Sequence, residues 1–237
     1  MGKLLNVDAN AKTVKGQAKG YMTGILYLAP ARLSGFEVCP MRSAGCTAGC
    51  LNTAGRGIFS NVQKARIAKT KEYFADKQAF ITRLNKEIFA LKKRAKKNNF
   101  QPCVRLNGTS DIDWTDVVNQ NPDIQFYDYT KVNVRVLQYL SGKMPKNYHL
   151  TFSLNEANMA SAKIILGLGG NVAMVFNVKR GMPLPKTYIG FRVVDGDLSD
   201  LRFLDENGVI VGLRAKGKAR NNNMGGFVQD ANLKLAA

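Results

Sequence analysis

Short apolar strands alternate with helical stretches over most of this chain, and that order limits the folds open to it. Because strands separated by helices pair in parallel through right-handed crossovers, we predict an α/β fold: a single-domain (β/α) partial barrel with mainly parallel strands. The segments with the length and apolar content of strands are residues 24–29, 102–108, 124–130, 148–154, 171–177, 188–194 and 209–215.

The longest helical pattern spans residues 60–98, where apolar residues recur every three or four positions between Phe80 and Leu91. Asp76 is a helix-capping residue type, so it predicts a break into two helices. The predicted organisation is a polar, extended N-terminal arm (residues 1–20), a barrel-like domain with a cysteine-rich loop after its first strand (residues 21–220) and a C-terminal tail (residues 221–237).

Polar side chains gather just past the C-terminal end of nearly every predicted strand. Ligands bind at that edge in parallel α/β proteins, so these residues predict one shared site. The alternation in residues 148–154 also sets His149 on a polar face, which makes it a candidate base. The catalytic candidates are therefore Asp111, Lys131, His149, Asp195 and Lys216, and Ser153 and Asn155 are candidate ligand contacts.

Three of the four cysteines lie within the run "CPMRSAGCTAGC", residues 39–50. The N-terminus lacks the apolar core of a secretion signal, so we expect a reducing cytoplasm, where clustered cysteines more often bind metal or catalyse than form disulfides. Three thiolates without an obvious fourth ligand favour a [4Fe–4S] cluster with one open iron, held by Cys39, Cys46 and Cys50. Zinc and no metal remain the alternatives.

The chain carries 35 Lys and Arg against 17 Asp and Glu, a net charge of +18. This excess favours a polyanionic partner, nucleic acid or a nucleotide. No apolar run reaches membrane-spanning length, so no membrane partner is expected. The acidic turns "SDIDW" and "DGDLSDLRFLD" leave a Mg²⁺-dependent nuclease open. The nucleic-acid contacts predicted after the last strand are Arg214, Lys216, Lys218 and Arg220.

Several runs of the chain resemble the phage "gene product 88-like" proteins, and the resemblance covers about residues 20–220. They include "CPMRSAGCTAGCLNTAGRG", "VRLNGTSDIDW", "YHLTFSLNE" and "VVDGDLSDLRFLD". The resemblance implies a phage or mobile-element source, and therefore the cytoplasm of a bacterial host. It implies no particular reaction.

The cysteine loop after the first strand, followed by the polar run "NGTSD" after the second, is also similar to the radical S-adenosylmethionine enzymes. That resemblance implies that the open iron binds the amino and carboxylate groups of S-adenosylmethionine. It further implies that Asn107, Ser110 and Asp111 recognise the cofactor's amino group. The spacing C-x6-C-x3-C is longer than the C-x3-C-x2-C common in that superfamily.

These observations lead us to expect a phage-type iron–sulfur enzyme that acts on nucleic acid or a nucleotide, with S-adenosylmethionine as the candidate cofactor. One alternative is a nucleic-acid-binding or replication-associated protein whose metal is structural. The other alternative is the Mg²⁺-dependent nuclease.

Overall fold

A ten-stranded sheet forms the centre of the protein, whose computed structural model describes residues 2–7, 11–221 and 223–231. The strands are β1 (Leu5–Val7), β2 (Tyr21–Leu26), β3 (Gln101–Arg105), β4 (Gln125–Thr130), β5 (Tyr148–Ser153), β6 (Val172–Phe176), β7 (Thr187–Tyr188), β8 (Phe191–Asp195), β9 (Ile210–Arg214) and β10 (Val228–Gln229).

The strand order is β1-β2-β3-β4-β5-β6-β9-β8-β7, and β10 also pairs with β6. Neighbours from β2 through β8 pair in parallel, whereas β1 and β7 pair antiparallel with β2 and β8. The predicted α/β class with mainly parallel strands is therefore confirmed. In the described chain β1 and β7 are the two ends of the strand order, so the sheet is open.

The helices account for most of the connections between parallel strands. They are α1 (Ala11–Gln17), α2 (Ala31–Ser34), α3 (Ala44–Ala48), α4 (Ser60–Ala75), α5 (Lys77–Lys97), α6 (Thr115–Asn119), α7 (Asn133–Leu140) and α8 (Met159–Gly167). The predicted break at Asp76 is confirmed, and its carboxylate accepts a hydrogen bond from the Ala79 amide at 2.9 Å to cap α5. None of the described helices is both long and apolar enough to cross a bilayer.

The two faces of the sheet are covered differently. On one face, the apolar stripe of α5 packs against Val104, Leu106 and other strand residues in the main core. On the other face, Cys103 and Tyr127 pack against Leu201, which belongs to the segment after β8. That segment fills only part of its face, and the remainder near the C-terminal ends of the strands forms the cavity described below.

Both chain ends differ from the predicted arm and tail. The first residues form β1 and α1, and Leu4 and Leu5 are buried while the Glu87 carboxylate accepts hydrogen bonds from both of their amides. Near the other end, β10 lies beside β6, so part of the predicted tail belongs to the sheet. Residues 8–10, 222 and 232–237 of these two predicted segments lie outside the described residues, as does Met1.

Residues 188–194, predicted as one strand, form a hairpin instead. Tyr188 of β7 pairs with Phe191 of β8, and the two residues between them turn the chain. Ile189 has φ 48° and Gly190 has φ 87°. Two consecutive left-handed residues produce the tight turn whose twist matches paired antiparallel strands, which explains the reversal.

Candidate functional site

A cavity of ≈ 220 Å³ lies at the C-terminal ends of the central strands. It has the position expected of a ligand site in a parallel α/β protein. The residues predicted from the sequence that line it are Cys39, Cys46, Cys50, Asn107, Ser110, Asp111, Lys131, Ser153, Arg214 and Lys216. The cysteine loop and the polar strand ends therefore face one common space.

The cysteine loop contains the short helix α3, and two of the three thiols lie in this helix or just beyond it. Ser43 caps α3, where its hydroxyl accepts a hydrogen bond from the Cys46 amide at 3.2 Å. Cys50 lies two residues after the end of α3, and both thiols line the cavity. Cys39 precedes the helix, and its thiol lies 3.9 Å from the carbonyl oxygen of Thr109, in the loop after β3.

Glu156 anchors this loop to the end of β5. Its two carboxylate oxygens accept hydrogen bonds from the Gly45 amide at 2.6 Å and the Ser43 hydroxyl at 2.7 Å. Partial burial raises the pKa of Glu156, but these hydrogen bonds outweigh that effect and hold the pKa below its ordinary value. Gly45 is needed here because a Cβ atom would lie 2.1 Å from the Met224 carbonyl oxygen.

The thiols themselves are not gathered around a single point. Burial raises the pKa of Cys39 to about 12, and the Asp111 carboxylate adds to this rise. A bound metal deprotonates a coordinating thiol because its positive charge stabilises the thiolate. Over the described residues, no three or more His, Cys, Asp or Glu side chains lie close enough together to hold one metal ion.

A buried ion pair forms part of the cavity wall. The Arg105 guanidinium lies 3.0 Å from the Asp200 carboxylate and 4.6 Å from the centre of the Tyr129 ring. Burial alone lowers the pKa of Arg105, but Asp200 and the surrounding phenol groups more than reverse that, so the guanidinium stays charged. Sequence reasoning missed this pair because its partners are 95 residues apart; the one available signal was Arg105 on the polar face of an alternating strand.

The polar side chains of the loop after β3 already form hydrogen bonds within the protein. The Asn107 side-chain oxygen accepts a hydrogen bond from the Ser110 hydroxyl at 2.9 Å. The Asp111 carboxylate accepts hydrogen bonds from the Arg135 guanidinium and the Lys131 amide, both at 2.8 Å. These three predicted ligand residues therefore line the cavity while their hydrogen bonds hold the loop in place.

Lys131 and Ser153 are the predicted residues best placed to meet a ligand. The Lys131 ammonium group lies 3.0 Å from the Ser153 hydroxyl, and both side chains line the cavity. Each is only partly buried. Together they offer several hydrogen-bond donors and one positive charge, which suits a carboxylate or a phosphate.

The acidic turn after β8 is paired with basic residues. Arg214 lies 2.9 Å from Asp195 and 3.3 Å from Asp197, and Lys216 lies 2.6 Å from Asp197. Hydrogen bonding to Arg214 outweighs the effect of partial burial and lowers the pKa of Asp195. The turn is thus fastened to the end of β9, and its carboxylates already have cationic partners.

The other predicted site residues lie outside the cavity. The Asn155 amide group donates to the Met41 carbonyl oxygen at 3.4 Å and so joins β5 to the cysteine loop. Lys218 and Arg220 are exposed on the turn after β9. His149 is largely buried, and its Nδ1 lies 2.9 Å from the Tyr139 hydroxyl while its Nε2 has no partner among the described residues.

His149 is expected to make stability depend on pH, because burial lowers its pKa from 6.5 to about 4. Between these values the unfolded chain binds a proton at the imidazole and the folded protein does not, so the free energy of unfolding falls as the pH falls. The loss is up to about 3 kcal/mol.

Urea unfolding of the wild type and of His149→Gln at several pH values measures the contribution of His149 to the free energy of unfolding. Asp128, whose pKa burial raises to about 7, produces the opposite slope in the same range, so the difference between the two proteins isolates the imidazole. Since His149 is the one histidine in the chain, the difference in the free energy of unfolding should change between about pH 4 and pH 7 and stay constant above pH 7. A pH-independent difference would contradict the prediction.

The fold and the site define an α/β protein with a mainly parallel sheet and a cysteine-lined cavity at the C-terminal edge of that sheet. The chain belongs to the Gene product 88 family of phage proteins, whose family model matches residues 3–230. This confirms the first resemblance seen in the sequence. Comparisons with curated proteins and with solved structures found no match.

Proposed function

We propose that this protein is a phage iron–sulfur enzyme that acts on nucleic acid or a nucleotide in the host cytoplasm. Its [4Fe–4S] cluster is held by Cys39, Cys46 and Cys50. The observation that carries the proposal is that three thiols from one loop line the same cavity as Lys131 and Arg105, at the ligand-binding edge of the sheet.

Three thiols without a fourth protein ligand favour a cluster over one zinc ion. A structural zinc ion takes four protein ligands, whereas the three thiolates would hold a four-iron cluster that keeps one iron open. Neither Cys103 nor His149 is among the residues that line the cavity, which leaves the fourth iron open.

The side chains around the cavity suit a small ligand with a charged end and an apolar body. An open iron supplies a redox-active Lewis acid to whatever ligand it holds. Lys131 and Ser153 bind and orient an anionic group through hydrogen bonds. Ala173, Val175 and Leu213 provide apolar surface and reduce access of water.

S-adenosylmethionine is the cofactor implied by the second resemblance, and a titration tests its use. On addition of the cofactor, anaerobically reconstituted protein is expected to release or absorb heat and to change its absorption spectrum. With dithionite as the electron donor, it is expected to cleave the cofactor reductively. Lys131→Ala should weaken binding at least about tenfold, because it removes a charge-assisted hydrogen bond, with no loss of the cluster spectrum.

Lys143→Ala is the matched control, since Lys143 is exposed in the loop before β5 at the opposite edge of the sheet. The affinity of the Lys143→Ala variant for S-adenosylmethionine should equal that of the wild type. Absence of heat and of any spectral change would contradict cofactor use and favour the runner-up, a nucleic-acid-binding protein whose metal is structural.

A further inference from the structure

We propose that a basic groove beside the cysteine cavity binds the sugar–phosphate backbone of single-stranded nucleic acid, without preference for sequence. This inference rests on the proposed function, because it names the substrate class of the proposed enzyme. The groove has a volume of ≈ 1000 Å³, and its basic lining residues are Lys15, Lys179, Arg180, Arg214, Lys216 and Arg220.

Most of the positive charge in this groove is available to a ligand. Lys15, Lys179, Arg180 and Arg220 are exposed, and none forms an ion pair with another described residue. The groove's two carboxylates, Asp195 and Asp197, are those already paired with Arg214 and Lys216. The exposed cations therefore dominate the field that an incoming anion meets.

The position of the groove connects it to the proposed active site. Arg214 and Lys216 line both the groove and the cysteine cavity, so the two spaces share this part of their walls. Lys179 and Arg180 follow β6, and Arg220 follows β9, at the same edge of the sheet. A chain of phosphates lying in the groove passes beside the cysteine cavity.

A single strand fits this arrangement better than a duplex. A base of a single strand can enter the cavity directly, whereas a base of a duplex must first be unpaired, unstacked and flipped out. The described groove lining contains no aromatic side chain, and stacking or base-edge contacts would be needed for sequence preference. Binding is therefore expected to be electrostatic and strongly dependent on salt.

The test measures the anisotropy of a labelled oligonucleotide, DNA or RNA, single-stranded or duplex, at two salt concentrations. Lys179→Glu/Arg180→Glu should weaken single-strand binding at least about tenfold and reduce the salt slope by about 1.4, the value for two lost phosphate contacts. The matched control is Lys143→Glu/Lys146→Glu, which makes the same charge change at exposed positions before β5. Its affinity should stay within about threefold of wild type, since long-range charge effects are screened.

Equal weakening by both double variants would overturn the proposal, because it would mean that diffuse charge binds the strand. Duplex binding as tight as single-strand binding would also overturn it. The iron–sulfur spectrum of each variant is recorded in parallel. Groove-dependent binding by a protein without a cluster would support the groove and refute the proposed enzyme. A cluster without groove-dependent binding would refute only the groove.

Discussion

Anaerobic reconstitution of Cys46→Ala is expected to give a protein that holds less than about one iron per chain, against about four in the wild type. In the proposed cluster Cys46 would supply one of three thiolates, and two thiolates are too few to retain four irons. Alanine is the best helix former and Cys46 lies within α3, so the substitution should preserve the fold. Iron analysis and the charge-transfer absorption spectrum measure the loss.

Cys103→Ala is the matched control for this experiment. Cys103 is fully buried on β3, where its sulfur lies 3.2 Å from the Thr23 hydroxyl, and it is not part of the cavity wall. The variant should keep its full iron content. Retention of iron by Cys46→Ala, or equal loss in both variants, would contradict the assignment of the ligands.

Asp200→Ala is expected to lower the free energy of unfolding by about 3–5 kcal/mol, because it leaves the Arg105 guanidinium buried without its counter-ion. The Asp200 side chain is 4% exposed and that of Arg105 13%, so little water replaces the lost carboxylate. The Tyr127 hydroxyl, which donates to Asp200 at 3.3 Å, loses that acceptor as well. Urea unfolding at neutral pH measures the change.

Glu206→Ala is the control for the Asp200 variant. The Arg192–Glu206 ion pair has both side chains 63% exposed, and an exposed pair contributes at most about 1 kcal/mol. The double variant Arg105→Met/Asp200→Leu should recover part of the lost stability, since no charge remains buried. Equal effects of Asp200→Ala and Glu206→Ala would contradict the description of the cavity wall.

The central strands could be predicted from the sequence because each carries a local signal. A run of four to seven apolar residues, or of alternating apolar and polar residues, predicts a strand. The polar residues after the run mark the C-terminal end of that strand. β1, β7 and β10 have only two or three residues, too few for any period to be visible. Their pairing depends on tertiary contacts, such as those of Glu87 with the amides of Leu4 and Leu5.

The position of the site could be predicted from the sequence, but its long-range side-chain contacts could not. The sequence indicates that the cysteine loop and the residues after β3 share an edge, and the cavity brings them together. It does not indicate that Arg135, on α7, binds the Asp111 carboxylate. Nor does it indicate that Glu156 holds α3 from 111 residues away. Such long-range partners leave no pattern in the local sequence.

The most direct test of the proposed cluster is the content of iron, acid-labile sulfide and zinc in anaerobically purified wild-type protein. Three cysteine ligands and an open iron predict about four irons and four sulfides per chain, with a brown colour that oxygen bleaches. One zinc per chain, without sulfide or visible absorption, would contradict the account.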